Sequence, residues 1–335
     1  MWQFGDRGRL GFPLAVAGAI GATAVLAYVF RHGWLGIDLD QFALAGKTML
    51  SANWRQTYAN PFFQAGPLEL AFAACCTWVA GTSGGLLAVV ADVSVAAALV
   101  AVAWSFLGRR GLLVLAIALA AFATGGTRDP YVDGHFADSL NALLWLLAAR
   151  QARRDRVYSA GLLVGLSAGL EVWGILGVSV LALAPTLRRA GVGLAVAAAL
   201  AAAWYVPFAL GGDFHMLAYR WHVTGGLPAL LLGAGHPFGW SLRLVQGAVT
   251  VGVAAALARA TRAAPFSVFA IPFVTGIVRL ALDPMSINYY WDGTTELALL
   301  GAAALFVARG DVRAWLGLDS RTAFRRRRVR VLTDG

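Results

Sequence analysis

Gly36-Ile37-Asp38-Leu39-Asp40-Gln41-Phe42 is the stretch on which the reading of this chain turns. It follows a first apolar run, residues 12–30. At about 1.5 Å per residue that run is long enough to cross a bilayer core of roughly 30 Å. Two carboxylates stand eight and ten residues beyond its end, and from there to Pro67 lies the longest stretch before the C-terminal tail that is not dominated by apolar residues. The pattern predicts a membrane span followed by a long loop that carries acids at the membrane surface.

The whole composition agrees. Of 335 residues, 59% are hydrophobic and 13% charged, with a mean hydropathy of +0.68. A soluble domain carries about 25% charged residues, so the chain reads as a polytopic membrane protein. Net charge is +10, and Lys47 is the only lysine. Arginine in place of lysine, with abundant Ala and Gly, points to a GC-rich, bacterial genome. Cys75 and Cys76 are the only cysteines, which leaves no disulfide framework beyond a vicinal bond. They read as two small apolar residues in a packed segment. Arg7 and Arg9 precede the first run as in a signal peptide. The run is too long for one and no small-residue cleavage site follows, so it reads as a retained span.

Cut at charges, Pro and Gly, the apolar runs are 12–30, 84–107, 111–127, 136–150, 157–170, 172–185, 190–210, 241–259, 265–282 and 294–308. The pair 157–170 and 172–185 also fits one broken or tilted helix. The expected fold is all-α, about ten transmembrane helices. Residues 66–81 are apolar but short and carry Pro67 and Glu69. The positive-inside rule places Arg109 and Arg110 in the cytoplasm, so only 84–107 should cross between them and the first loop. Residues 66–81 then read as a juxtamembrane, interfacial helix. With this choice 20 of the 27 cations fall inside, and 11 of the 17 acids fall outside. Residues 1–308 form a single transmembrane domain with the acids on outer loop 31–83. Residues 309–335 form a basic cytoplasmic tail in which Arg321 to Arg330 includes six arginines. A solvated anchor against anionic lipid suits that tail better than nucleic-acid binding.

The outer loops, 31–83, 128–135, 211–240 and 283–293, hold most of the unusual residues. Asp38 and Asp40 suit a general base or a divalent metal site, Mg or Mn, with Asp138 as a further ligand; they equally suit the wet end of a span. His135 and Asp138, three apart, share a face if helical. Arg220 and His222 in Tyr219-Arg-Trp-His, together with Arg279, suit a phosphate through charge-assisted bonds; the first pair also reads as interfacial residues among belt aromatics. Asn288-Tyr-Tyr-Trp-Asp292 offers aromatic faces for stacking on a sugar, Tyr289 among them, or an ordinary aromatic belt. Asp92 lies mid-span without an evident partner. No Walker loop or soluble GxGxxG site is present, which argues against a nucleotide-linked substrate.

Three segments in order carry a resemblance. Asp38-Leu-Asp-Gln-Phe42 leads into Asn53-Trp54, Tyr58-Ala-Asn-Pro61 and Gln64-Ala-Gly-Pro67-Leu68. Arg128-Asp-Pro-Tyr-Val-Asp133-Gly134-His135-Phe-Ala-Asp138 opens the fourth span. Ser159-Ala-Gly161-Leu-Leu-Val-Gly165-Leu-Ser-Ala-Gly169 follows a basic inner loop. Together they resemble the GT-C superfamily, integral-membrane glycosyltransferases that use polyprenyl-phosphate sugars, such as protein mannosyltransferases and aminoarabinose transferases. In that resemblance Asp38 takes the place of the catalytic Asp, with Asp40 the second candidate and Phe42 at the aromatic position. Arg128, His135 and Asp138 fall in the second loop that holds substrate or metal. Where the family often has Lys after the third segment, Glu171 stands here.

The resemblance implies an inverting transfer from a polyprenyl-phosphate sugar to an envelope glycan, glycolipid or protein acceptor. The site would face outward from the cell membrane, with both termini cytoplasmic. The competing class is a lipid or small-solute transporter or flippase. That class commonly shows internal repeats and broken midplane helices. The sequence has no evident repeat, and its polar residues gather at one face.

Overall fold

A computed structural model describes residues 11–30, 37–82, 85–108, 110–285 and 287–315. The arginines expected at 7, 9 and 109, and the basic run of the tail, lie outside the described residues. The architecture is all-α. The helices are α1 (Gly11–Val29), α2 (Ile37–Met49), α3 (Pro67–Ala80), α4 (Gly85–Leu107), α5 (Gly111–Ala123), α6 (Asp129–Val132), α7 (Phe136–Arg153), α8 (Val157–Leu170), α9 (Leu187–Gly211), α10 (Gly226–Leu232), α11 (Trp240–Thr261), α12 (Ser267–Ala281) and α13 (Asp292–Trp315). A 3-10 helix, Val172–Leu183, follows α8, and a two-residue ribbon pairs Trp221–His222 with Pro237–Phe238. Among the described residues, α4, α9 and α11 are long and apolar enough to cross a membrane, and the other apolar helices are shorter.

Each apolar run read from the sequence coincides with a helix, with shifted ends. The run 111–127 stops being helical at Ala123, because Gly125 at φ +106° turns the chain. α13 continues to Trp315, past the boundary placed at residue 308. The hard segment 66–81 is α3. Gly66 precedes it in extended conformation, Pro67 occupies its first turn where a missing N–H costs nothing, and Gly81 at φ +78° ends it.

Four features set the geometry of one end of the bundle. α2 and α3 pack as a hairpin. Acids in the first turn of α2, Asp38 and Asp40, and Lys47 in its last turn complement the helix dipole. Between the hairpin helices the chain is sealed to the joint after α8: Gly66 N–H donates to Leu170 O at 2.7 Å, and Ala65 pairs with Glu171 as an isolated bridge. A β-carbon at Gly66 would strike the Gly169 carbonyl. The third feature is Gly134, at φ +80°, where a β-carbon would come 2.5 Å from Leu39 N. That approach brings the start of α7 against the start of α2. The fourth is the glycine face of α8, Gly161, Gly165 and Gly169, which meets Gly193, Leu200 and Trp204 of α9. Small residues at this spacing let two helices approach closely.

Asp92 is buried on α4, and its carboxylate accepts the Tyr131 N–H at 3.2 Å. This links the mid-helix acid to α6. Cys75 and Cys76 are both free thiols.

Candidate functional site

The joined ends of α2, α3, α7, α8, α11 and the segment after α12 enclose an open cavity of about 620 Å³. Its walls carry Asp38, Glu69, His135, Glu171 and Arg243 among the aromatic residues Phe42, Phe62, Trp173, Tyr219, Trp221, Tyr289 and Tyr290. The cavity combines carboxylates, cations and ring faces.

Asp38 and His135 are its most direct pair. Asp38 Oδ2 lies 3.0 Å from His135 Nε2, across the approach that Gly134 permits. Phe42, one helical turn from Asp38, packs at right angles to the imidazole at 5.4 Å, and Tyr289 stacks on the imidazole at 4.1 Å and 13°. Burial disfavours the imidazolium, but the hydrogen bond to Asp38 and the fields of Asp138 and Glu69 outweigh it. The His135 pKa is pushed up to about 9. Because the folded value exceeds the free value of about 6.5, the ion pair stabilises fully below pH ~6.5 and is lost as pH rises through about 9. A charge-assisted bond of this kind contributes about 1.5–3 kcal/mol. Thermal stability is therefore expected to fall between pH 7 and 10 in the wild type. A His135→Gln variant, followed by the same unfolding scan, should lack that decline; an unchanged pH profile would deny His135 the charge assigned to it.

Glu69 is fully buried on α3 and accepts the Ala137 N–H at 2.8 Å, at the start of α7 where orphan amides gather. Burial pushes its carboxyl well up, against the pull of His135. Burial likewise raises Glu171, against the pull of Arg279.

Arg243, near the start of α11, has an aromatic box. Its guanidinium carbon sits 4.2 Å from the Trp221 ring centroid, 4.9 Å from that of Trp173 and 5.6 Å from that of Phe238. The ribbon register, Trp221 opposite Phe238, delivers both rings to it. Nη1 donates to Asp283 Oδ2 at 2.8 Å and to Gln246 Oε1 at 2.9 Å. Trp240 stacks behind Trp173 at 5.3 Å.

A smaller cavity of about 340 Å³ adjoins the first and shares Glu171, Trp173 and Tyr290 with it. It holds Asp138 and Arg279, whose Nη1 donates to Asp138 Oδ1 at 3.2 Å.

The structure thus gathers Asp38, His135 and Tyr289 in one cavity and Asp138 and Arg279 in its neighbour. It does not bring Asp40, Arg128, Arg220 or His222 to either. Asp40 is exposed on α2. Arg128 pairs with Asp129 at 3.2 Å. Arg220 and His222 face outward because alternate residues of an extended segment point to opposite sides. Tyr219 and Trp221 take the inward positions. The shared helical face expected of His135 and Asp138 does not form, since α7 begins only at Phe136 and His135 precedes it. Asp38 and Asp138 line different cavities. Asp138 is turned to Arg279, and among the described residues no group of three or more His, Cys, Asp or Glu side chains gathers as metal ligands would.

Sequence reasoning missed Arg243, Glu69 as a cavity residue, and Trp173. The available signal for Arg243 was an arginine just inside an apolar run, a costly placement that calls for a buried partner. No family model, characterised protein or solved structure matches the chain.

Proposed function

We propose that the chain is an inverting membrane glycosyltransferase of GT-C type, with about ten crossings and α3 lying along the outer surface. The observation that carries this reading is Asp38 facing a cavity that also holds a buried guanidinium and several aromatic rings. An acceptor hydroxyl attacks the anomeric carbon of a sugar on polyprenyl phosphate. Its proton goes to Asp38, the bond from carbon to phosphate oxygen breaks, and the lipid phosphate leaves with the electron pair. His135 orients Asp38. Arg243 takes the phosphate role because it shares the cavity with Asp38 and its buried Nε has no partner, whereas Arg220 faces away and Arg279 lines the neighbouring cavity. Tyr289, Trp221 and Trp173 provide ring faces for the sugar. Envelope glycans, glycolipids and proteins are the acceptor classes, and the cell membrane is the location.

The test is transfer of radiolabelled sugar from defined polyprenyl phosphates by the purified protein. Absence of transfer from every such donor by folded protein would remove the reading.

The topology has its own test. Asn53 is exposed in the loop between α2 and α3. Asn53→Cys, in a background with Cys75 and Cys76 replaced by Ala, is expected to react with an impermeant maleimide in intact cells. Reaction only after permeabilisation would turn the site to the cytoplasm and end the proposed mechanism.

A further inference from the structure

Outside the lining of both cavities, the contact between the end of α5, α7 and α13 holds polar groups without a role. Glu296 of α13 is fully buried beside the Ser139 hydroxyl, and neither carboxyl oxygen has a hydrogen bond of good geometry. The Thr127 hydroxyl is fully buried and also has none. Ser139 of α7 gives its proton to Gly126 O at 2.7 Å, so it has only lone pairs left to offer. A β-carbon at Gly126 would come 3.1 Å from Glu296 Oε1 and 3.6 Å from the Ala121 carbonyl oxygen. The Glu296 carboxyl therefore lies against the turn that ends α5, where helix carbonyls present the negative end of the dipole.

Among the described residues no cation is paired with Glu296. Asp292, one turn earlier on α13, is buried, and Asp138, next to Ser139, is spoken for by Arg279. A bare carboxylate enclosed among oxygen atoms is strongly unfavourable. What neutralises it is small, either a proton or a metal cation, because the site is closed to solvent.

We propose that Glu296, with the Gly126–Thr127 turn, holds a sodium ion at the C-terminal end of α5. One carboxylate balances one positive charge. Hydroxyl and carbonyl oxygens are hard ligands, and helix C-terminal ends are a recurrent setting for sodium in membrane proteins. Magnesium usually keeps several waters, which a closed site cannot house. The proposal does not depend on the transfer reaction.

Unfolding of the purified full-length protein, followed by tryptophan fluorescence at pH 8, tests it in sodium, potassium, magnesium and choline chloride at matched ionic strength. Sodium is expected to raise the midpoint by several degrees, saturably, and choline to leave it unchanged. Glu296→Gln keeps the size and supplies its own donors, and should lose the sodium response. Thr127→Val should weaken apparent sodium affinity several-fold. Labelling of wild-type Glu296 by dicyclohexylcarbodiimide, read by mass spectrometry, should fall as sodium rises, and this readout stands even if a variant does not fold. Labelling and stability that ignore sodium, with labelling rising as pH falls, would assign the site to a proton and overturn the proposal. Stabilisation by magnesium and not by sodium would overturn it as well.

Discussion

Asp38→Asn is expected to abolish transfer while leaving the protein folded and the donor bound. Asn keeps the shape of the side chain and can still accept a hydrogen bond from His135, so the 3.0 Å contact survives in neutral form. It cannot take a proton at neutral pH. Loss of a general base typically costs 10²- to 10⁴-fold in rate. Asp40→Asn is the control and should be mild, because Asp40 points to solvent from the same helical turn. Turnover and donor binding would be measured in both beside the wild type. A dead Asp40→Asn with an active Asp38→Asn would move the base to Asp40. Normal turnover in both would sink the mechanism.

The second large effect lies at Arg243. It is 2% exposed and its partner Asp283 is 1% exposed, so removing one leaves the other as an uncompensated buried charge. Arg243→Ala should cost about 3–5 kcal/mol of stability and void the box formed by Trp173, Trp221 and Phe238. That result alone would not separate fold from site. Arg243→Met combined with Asp283→Asn removes both charges together and should restore most of the stability, since replacing a whole buried pair is often neutral. Asn at 283 can also keep the bond that Asp283 Oδ1 accepts from Met285 N–H at 3.0 Å. The folded double variant should nevertheless bind donor roughly 10- to 150-fold more weakly, the equivalent of about 1.5–3 kcal/mol for a charge-assisted contact. Full donor affinity in that variant would take Arg243 out of the phosphate role.

The helices were legible in the sequence because apolar runs cut by Pro, Gly and charge report burial directly, and α3 declared itself through Pro67 and Glu69. Asp38 and His135 were legible as chemistry-bearing residues in loops. Their meeting was not, since it depends on Gly134 at a positive φ and on the fold around it. Tyr219 to His222 shows another limit. An alternating pattern presents two faces, and nothing local to Arg220 or Trp221 says which of them turns inward. That choice is made by Phe238 across the ribbon and by Arg243 beneath it. Arg243 itself stood within an apolar run, where charge is usually read as a helix end rather than as the floor of a cavity.

The 3-10 helix from Val172 to Leu183 has a consequence for the depth of the cavity beside it. At about 2.0 Å per residue a 3-10 helix is stretched relative to an α-helix. Its 12 residues reach about 24 Å, where an α-helix of that length would reach about 18 Å. Even so drawn out, it falls short of a hydrocarbon core of roughly 30 Å. No residue of the element is exposed, so the helices packed around it, α7, α8, α9, α11 and α12, and not lipid, cover the shortfall. In the proposed topology the cavity beside Glu171 then lies recessed from the outer surface.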